Sequence, residues 1–278
     1  MMISNEYRML MQEGHLASTS LLAGFESLCK LDYDKPGSVY STLFQLTTGL
    51  ERIMKIAVIL EHKANNNLAS PSDARLKRLG HSITDLYSVV RQASQQRSIN
   101  GGWFDHDTIQ GEILATLSEF ARCSRYYNID RLVGGQQSAD PLTRWFAIHM
   151  EIAEDSVSIR RRHKIMEAAR RHCEALGQLG WEMGPRGQWD LTIDVTYQLQ
   201  IANASRGHFV WIIIEILEPI YRLIDQLVDE IHGIETAQGI EVQTVPFMVE
   251  FFPFCLVDEK FAITRKAWTS LFYIAGRI

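Results

Sequence analysis

The sequence predicts a mainly α-helical protein with a small antiparallel β element in its C-terminal half. Apolar residues recur every three or four positions over most of the 278 residues, which is the spacing of one face of a helix. One stretch, residues 189–201, instead alternates apolar and polar residues without exception. That alternation is typical of a strand with one face in water.

The predicted helices are separated by glycine, proline and polar residues. The clearest helix covers 38–63, between the breaks "KPGSV" and "NNNLASPSD". Its core-facing stripe consists of Leu46, Leu50, Ile53, Ala57 and Leu60. The same spacing predicts further helices over about residues 5–30, 73–95, 107–127, 141–178 and 207–232.

The alternating stretch "WDLTIDVTYQLQI" needs a partner, because a lone strand leaves its backbone hydrogen-bonding groups unpaired. Two partners are available: "GQLGWEM" across the "GPRG" turn, and the tract "IEVQTVPFMVEFFPF". We therefore expect a helical bundle over 1–180, with residues 181–278 forming a strand and helix region packed on it. The stretch "VGGQQSADP" marks an alternative boundary near 135.

Composition and motifs limit the function classes. The net charge of −5 gives no global attraction to phosphate, so a nucleic-acid contact requires a local basic patch. The cysteines are scattered, which fits a reducing cytoplasm, and the most apolar run, "FVWIIIEIL", is interrupted by Glu215. The sequence therefore predicts a cytoplasmic protein without a membrane span, metal site or cofactor.

Three segments in order resemble the HEPN superfamily of small helical-bundle domains. They are the helix that bears Glu51 and Lys55, then "LKRLGHSITDLYSVV" at 76–90, then "SEFARCSRYYNID" at 118–130. The matching residues of the second and third segments are Gly80, His81, Ile83, Leu86, Arg125 and Tyr126. The resemblance covers about 38–130, with an extension toward 180.

This resemblance implies two kinds of function. The first is an RNA-directed toxin or anti-phage defence effector that cleaves RNA without a metal, or binds it. The second is a non-catalytic module that dimerises or acts with a partner protein. Both kinds occur in the superfamily, so the resemblance leaves both open.

Active members of the superfamily use an arginine followed, after four to six residues, by a histidine. Arg144 and His149 in "RWFAIH" match this spacing, and Arg75 and His81 in "RLKRLGH" form a second candidate pair. An arginine can hold a phosphate while a histidine exchanges protons. Positions five apart differ by about 140° around a straight helix, so Arg144 and His149 require a kink or a second subunit.

A basic run in "IRRRHKIMEAARRH" supplies candidate phosphate-binding residues. They are Arg160, Arg161, Arg162, Lys164, Arg170 and Arg171. Charges clustered on one helix focus a local field even on an acidic protein. The alternatives are an ordinary solvated face, or neutralisation by the upstream "EIAEDSVS".

The charges of the 38–63 helix have two interpretations. Glu51 and Lys55 are four apart, which suits an exposed ion pair. Alternatively, Glu51 or Arg52 reaches the segment of His81 or that of Arg125, and these four residues form a structural polar network. We expect the interhelical contact.

The tract "VPFMVEFFPFC" holds four phenylalanines in eleven residues. A short segment broken by proline cannot easily hide so much apolar surface alone, so the tract must cover the core or form an interface. On this basis the sequence predicts a homodimer.

Overall fold

The computed structural model describes residues 4–99, 101–135 and 138–271. Within them the chain forms ten α-helices and one two-stranded antiparallel sheet, which confirms the predicted fold class. The helices are α1 (Asn5–Cys29), α2 (Pro36–Asn65), α3 (Asp73–Leu79), α4 (Ile83–Gln96), α5 (Ile109–Arg122), α6 (Tyr127–Val133), α7 (Pro141–Ser156), α8 (Ile159–Leu176), α9 (Thr192–Ala237) and α10 (Glu259–Thr264). The strands are β1 (Trp181–Met183) and β2 (Trp189–Leu191).

The long helix α9 organises the bundle. It packs against α1, α2, α4, α5, α7, α8 and α10, and its apolar side chains join those of α1 and α2 in one hydrophobic cluster. The cluster extends from Leu10 to Trp268 and therefore includes residues of both predicted regions. No helix in the described ranges is long and apolar enough to cross a membrane.

The strand predicted over 189–201 is wrong beyond its first three residues. β2 ends at Leu191, and α9 begins at Thr192 and continues to Ala237. Between Thr192 and Ser205 the buried residues include Val195 and Ala202, seven apart, which is a helical spacing. Each residue added to an existing helix gains a hydrogen bond at little cost, so α9 extends through a stretch without a breaker.

Gly207 does not interrupt α9, because it is required for packing rather than for a turn. A Cβ at this position would collide with the backbone of Ile263, a residue of α10, where α10 packs on α9. The missing side chain lets the two helices approach closely. The predicted helix start near 207 therefore lies inside α9.

The partner of β2 is the segment across the "GPRG" turn, as one of the two sequence alternatives stated. Trp181 pairs with Leu191 and Met183 pairs with Trp189. Gly187 has a φ of 70°, a conformation that glycine adopts without strain, and it closes the turn.

Two of the predicted helices are each divided in two. The 73–95 helix breaks at Gly80, which has a φ of 57°, and Ser82 then caps α4 by accepting a hydrogen bond from the Asp85 amide. The 141–178 helix breaks after Ser156, and Ser158 caps α8. These breaks define separate short helices around the predicted site residues.

The aromatic C-terminal tract covers the core. Met248, Phe252 and Phe254 are fully buried, and Phe251 is nearly so, whereas Phe247 is half exposed. Phe25 of α1 meets Phe254 edge to face with ring centroids 5.5 Å apart. The tract is therefore hidden within the chain, and its apolar surface no longer argues for a homodimer.

Candidate functional site

The predicted contact between Glu51 and the segment of His81 is present. The Glu51 carboxylate lies 3.0 Å from Nδ1 of His81 and accepts a hydrogen bond from Lys55 Nζ at 2.7 Å. Burial by itself raises the pKa of Glu51, but the hydrogen bonds from Lys55 and His81 outweigh it and lower the pKa. The contact thus connects α2 to His81, the residue before the cap of α4.

Arg52 and Arg125 do not join this contact. The Arg52 guanidinium forms an ion pair with Glu13 of α1. The Arg125 guanidinium lies over the ring of Phe44, 5.2 Å from its centroid. Both arginines connect neighbouring elements, so the four residues hold different parts of the bundle rather than one network.

The second candidate pair, Arg75 and His81, is not brought together. Arg75 donates to Nδ1 of His62 at 3.0 Å and pairs with Glu61 at 3.3 Å. His81 contacts Glu51 instead. The geometry gives these two residues separate structural partners.

Arg144 and His149 also point to different partners. Arg144 on α7 forms an ion pair with Glu119 of α5. His149 has no exposed surface, and its Nδ1 lies 2.7 Å from the Tyr33 hydroxyl. RNA cannot reach this imidazole in the folded chain, so the geometry does not support Arg144 and His149 as a catalytic pair.

The surroundings of His149 keep its ring neutral. Its ring meets that of Phe209 with centroids 5.0 Å apart, and Trp145 stacks on the same phenylalanine. Burial, together with the positive charge of Arg206, lowers the pKa of His149 to about 3. A neutral histidine at pH 7 cannot donate a proton as readily as one with a pKa near 7.

Of the helices that contain predicted site residues, α8 exposes the most charged side chains to solvent. It buries only Ala169 and Cys173, and Cys173 Sγ lies 3.4 Å from the Thr196 hydroxyl of α9. Because these buried residues are small, α8 lies close to α9, and the two helices touch along a narrow strip. Most of its longer side chains are consequently left toward solvent.

The basic side chains of α8 have no neutralising partner. Arg160, Arg161, Lys164, Arg170 and Arg171 are exposed, and none forms an ion pair within the part of the chain that the structure describes. The upstream acidic residues therefore do not neutralise them. At 100° per residue, Arg160, Lys164 and Arg171 fall within about 40° of one another, opposite Ala169. Glu167 interrupts this line, so the basic charge is densest over the first two turns.

The charge at the start of α8 opposes the helix dipole. The first turn has no acidic residue and instead contains arginines. Each basic side chain near a helix N-terminus costs up to about 1 kcal/mol, because that end is partly positive. The arrangement is unfavourable for folding and favourable for an anion such as a phosphate.

Arg162 differs from the other five predicted phosphate-binding residues. Its Nε donates to the Val157 carbonyl at 2.6 Å, and its Nη2 donates to the Glu154 carbonyl. These carbonyls belong to the end of α7, which the guanidinium caps. Arg162 is therefore a structural residue and not part of the free basic surface.

The exposed tryptophans of the hairpin were not among the residues predicted from the sequence. Trp181 and Trp189 are 67% and 63% exposed, beside Met183 at 61%. The available signal was the repeated pattern of an apolar, an acidic and an apolar residue in "WEM" and "WDL". Without the strand pairing, the two runs could not be placed on one face.

No group of three or more metal-ligating side chains occurs in ranges 4–99, 101–135 and 138–271. Comparisons of this chain with protein-family models, with curated proteins and with solved structures found no match. The candidate site thus depends on the geometry of α8 and its surroundings.

Proposed function

We propose that this protein binds RNA through the exposed basic face of α8, in the RNA-directed toxin or defence context that its HEPN-like segments suggest. We define the α8 surface as Arg160, Arg161, Lys164, Arg170 and Arg171. The observation that carries the proposal is the set of exposed cations without an ion pair on α8, of which Arg160 and Arg161 lie at the helix start, where folding disfavours them. The four free cysteines fit a cytoplasmic location.

Metal-independent RNA cleavage is less well supported than RNA binding. A catalytic histidine must lie within hydrogen-bonding reach of the proton that it transfers. His149 is fully buried and contacts Tyr33 and Phe209. We therefore propose binding without chemistry at Arg144 and His149, and we expect RNA incubated with the protein in EDTA to stay intact.

Fluorescence anisotropy with a labelled RNA tests the proposal. The triple variant Arg160→Gln, Lys164→Gln, Arg171→Gln removes three charges from one line of the α8 surface. We expect its affinity for RNA to fall at least about tenfold at low salt, because phosphate contacts dominate non-specific binding.

A matched control separates the α8 surface from net charge. Arg78, Arg122 and Lys260 are exposed basic residues on α3, α5 and α10. Their triple glutamine variant has the same net charge as the α8 variant. Equal loss of affinity in the two variants, or no RNA binding by the wild-type protein, would overturn the proposal.

A second candidate function, a non-catalytic dimerisation or partner-binding module, is favoured by α6. Leu132 is 85% exposed and Val133 74%, with Ile129 at 58% on the same short helix. Exposed apolar side chains in a cluster are typical of interaction sites. Light scattering of the wild-type protein and of Leu132→Ser tests it: a dimer that becomes monomeric supports this function, and a monomer in both removes self-association through α6.

A further inference from the structure

The β1–β2 hairpin exposes an apolar face that folding alone does not explain. The pairing of Trp181 with Leu191 and of Met183 with Trp189 places these four side chains on one face. Both tryptophans are mostly exposed. Glu182 and Asp190 pair with each other on the opposite, half-buried face. The solvent-facing side of the hairpin therefore carries indole rings without acidic neighbours from its own strands.

The hairpin lies at the C-terminal end of the α8 surface. The Thr192 amide at the start of α9 donates to the Gly180 carbonyl at 3.0 Å, and Cys173 of α8 contacts Thr196 of α9. Five helical residues and four loop residues separate Arg171 from Trp181, which makes five helical and five extended steps, so their Cα atoms are at most about 25 Å apart. One extended nucleic-acid strand of a few nucleotides can reach both.

Indole rings recognise the faces of unpaired bases. Proteins that bind single strands combine a basic surface along the backbone with aromatic side chains on which bases stack. Trp181 and Trp189 are diagonal neighbours across the two strands, about 7–8 Å apart at Cα, which suits consecutive bases. A duplex keeps the faces of its bases stacked inside and offers only its phosphates.

We infer that Trp181 and Trp189 form a base-stacking site for unpaired nucleotides of the RNA strand whose phosphates lie along α8. The inference rests on the proposed function and specifies its ligand as single-stranded RNA. Charge complementarity supports this ligand over an apolar protein segment, because the last seven residues of α8, 170–176, expose Arg170, Arg171 and His172 against a single acidic residue, Glu174.

Two double variants separate stacking from general apolar contact. Trp181→Leu/Trp189→Leu keeps the face apolar but removes its aromatic rings, whereas Trp181→Phe/Trp189→Phe keeps the rings. Anisotropy is measured with a single-stranded RNA and with a blunt duplex RNA of the same length. We expect the leucine variant to bind the single strand at least about tenfold more weakly and the duplex within about twofold of wild type. The phenylalanine variant retains most of the single-strand affinity.

The outcomes distinguish this inference from the proposed function. Wild-type affinity of the leucine variant for the single strand overturns the stacking site while leaving RNA binding by α8 intact. An unchanged affinity together with loss of a wild-type dimer in light scattering would make the hairpin an interface between copies and also overturn it. If the wild-type protein binds neither RNA, both the proposed function and this inference fail.

Discussion

The buried histidine of α7 predicts a specific dependence of stability on pH. His149 has a folded-state pKa of about 3, and an unfolded histidine has a pKa near 6.5. Below pH 6.5 the unfolded chain takes up a proton that the folded chain does not, so the free energy of unfolding falls as pH falls. Between pH 7 and pH 5 the loss from this residue is about 2 kcal/mol.

Urea denaturation at several pH values between 5 and 7 measures this loss. In His149→Gln the side chain stays uncharged throughout, so the variant has a lower stability at pH 7 but loses about 2 kcal/mol less than wild type on acidification. This window lies above the range in which most carboxylates titrate, including Glu26, whose pKa is lowered to about 2.

His208→Gln is the matched control. Burial lowers the pKa of His208 as well, but this side chain is half exposed and lies near Glu259 and Arg161, so its share is smaller. The neighbours of His149 itself are Tyr33, whose pKa burial raises well above its usual value, and Arg206. Parallel stability curves for wild type and His149→Gln would refute the account of a neutral, buried imidazole.

Three further predictions test the packing and the polar contacts. Gly207→Ala should destabilise the protein by about 1–3 kcal/mol, because the added Cβ collides with the backbone of Ile263. The control Gly233→Ala, in the same helix with open space around it, should stabilise the protein by about 0.5–1 kcal/mol. Equal shifts of the melting temperature in the two variants would contradict this. Glu51→Gln should lower the free energy of unfolding, measured by urea denaturation, by about 1 kcal/mol. A double-mutant cycle with His81→Gln should show a coupling energy between the two residues. Additive effects would mean that the contact does not contribute to stability. Arg162→Gln should lower the free energy of unfolding by about 1–3 kcal/mol, because it removes the cap of α7, and should leave RNA affinity within about twofold of wild type. A large loss of RNA affinity would instead show that Arg162 belongs to the RNA-binding surface.

Periodicity predicted the helices well where a single face is buried. The stripe from Leu46 to Leu60 is buried along α2, and serine caps mark the starts of α4 and α8. The alternation after Trp189 misled because an alternating run also contains apolar residues four apart, which a helix can place on one face, and the hydrogen bonds of a continuing helix outweighed the pattern.

The candidate site was harder to predict because burial depends on tertiary contacts. His149 lies four residues after Trp145 and three before Ile152, so helical spacing alone placed it on the apolar face of α7. The spacing of Arg144 and His149 also matched the catalytic pattern, and the predicted site followed that pattern instead of the apolar face. The hairpin tryptophans carried no local signal of exposure, since the same pattern occurs in strands that pack on a core.

The role of Arg162 could not have been separated from its neighbours by sequence. All the arginines of "IRRRH" have similar local patterns. Only the close approach of the end of α7 selects Arg162 as a cap and leaves Arg160 and Arg161 in solvent. The structure therefore divides one basic run into a structural residue and a free surface.

The salt dependence of RNA binding measures whether the α8 surface contacts phosphates. For single-stranded RNA, each neutralised phosphate adds about 0.7 to the slope of log affinity against log salt concentration. We expect Arg160→Gln/Lys164→Gln/Arg171→Gln to lower this slope by about 2, because three cations are removed, whereas the matched Arg78, Arg122 and Lys260 variant keeps the wild-type slope. A wild-type slope in the α8 variant would show that its cations contact no phosphate and would contradict the account.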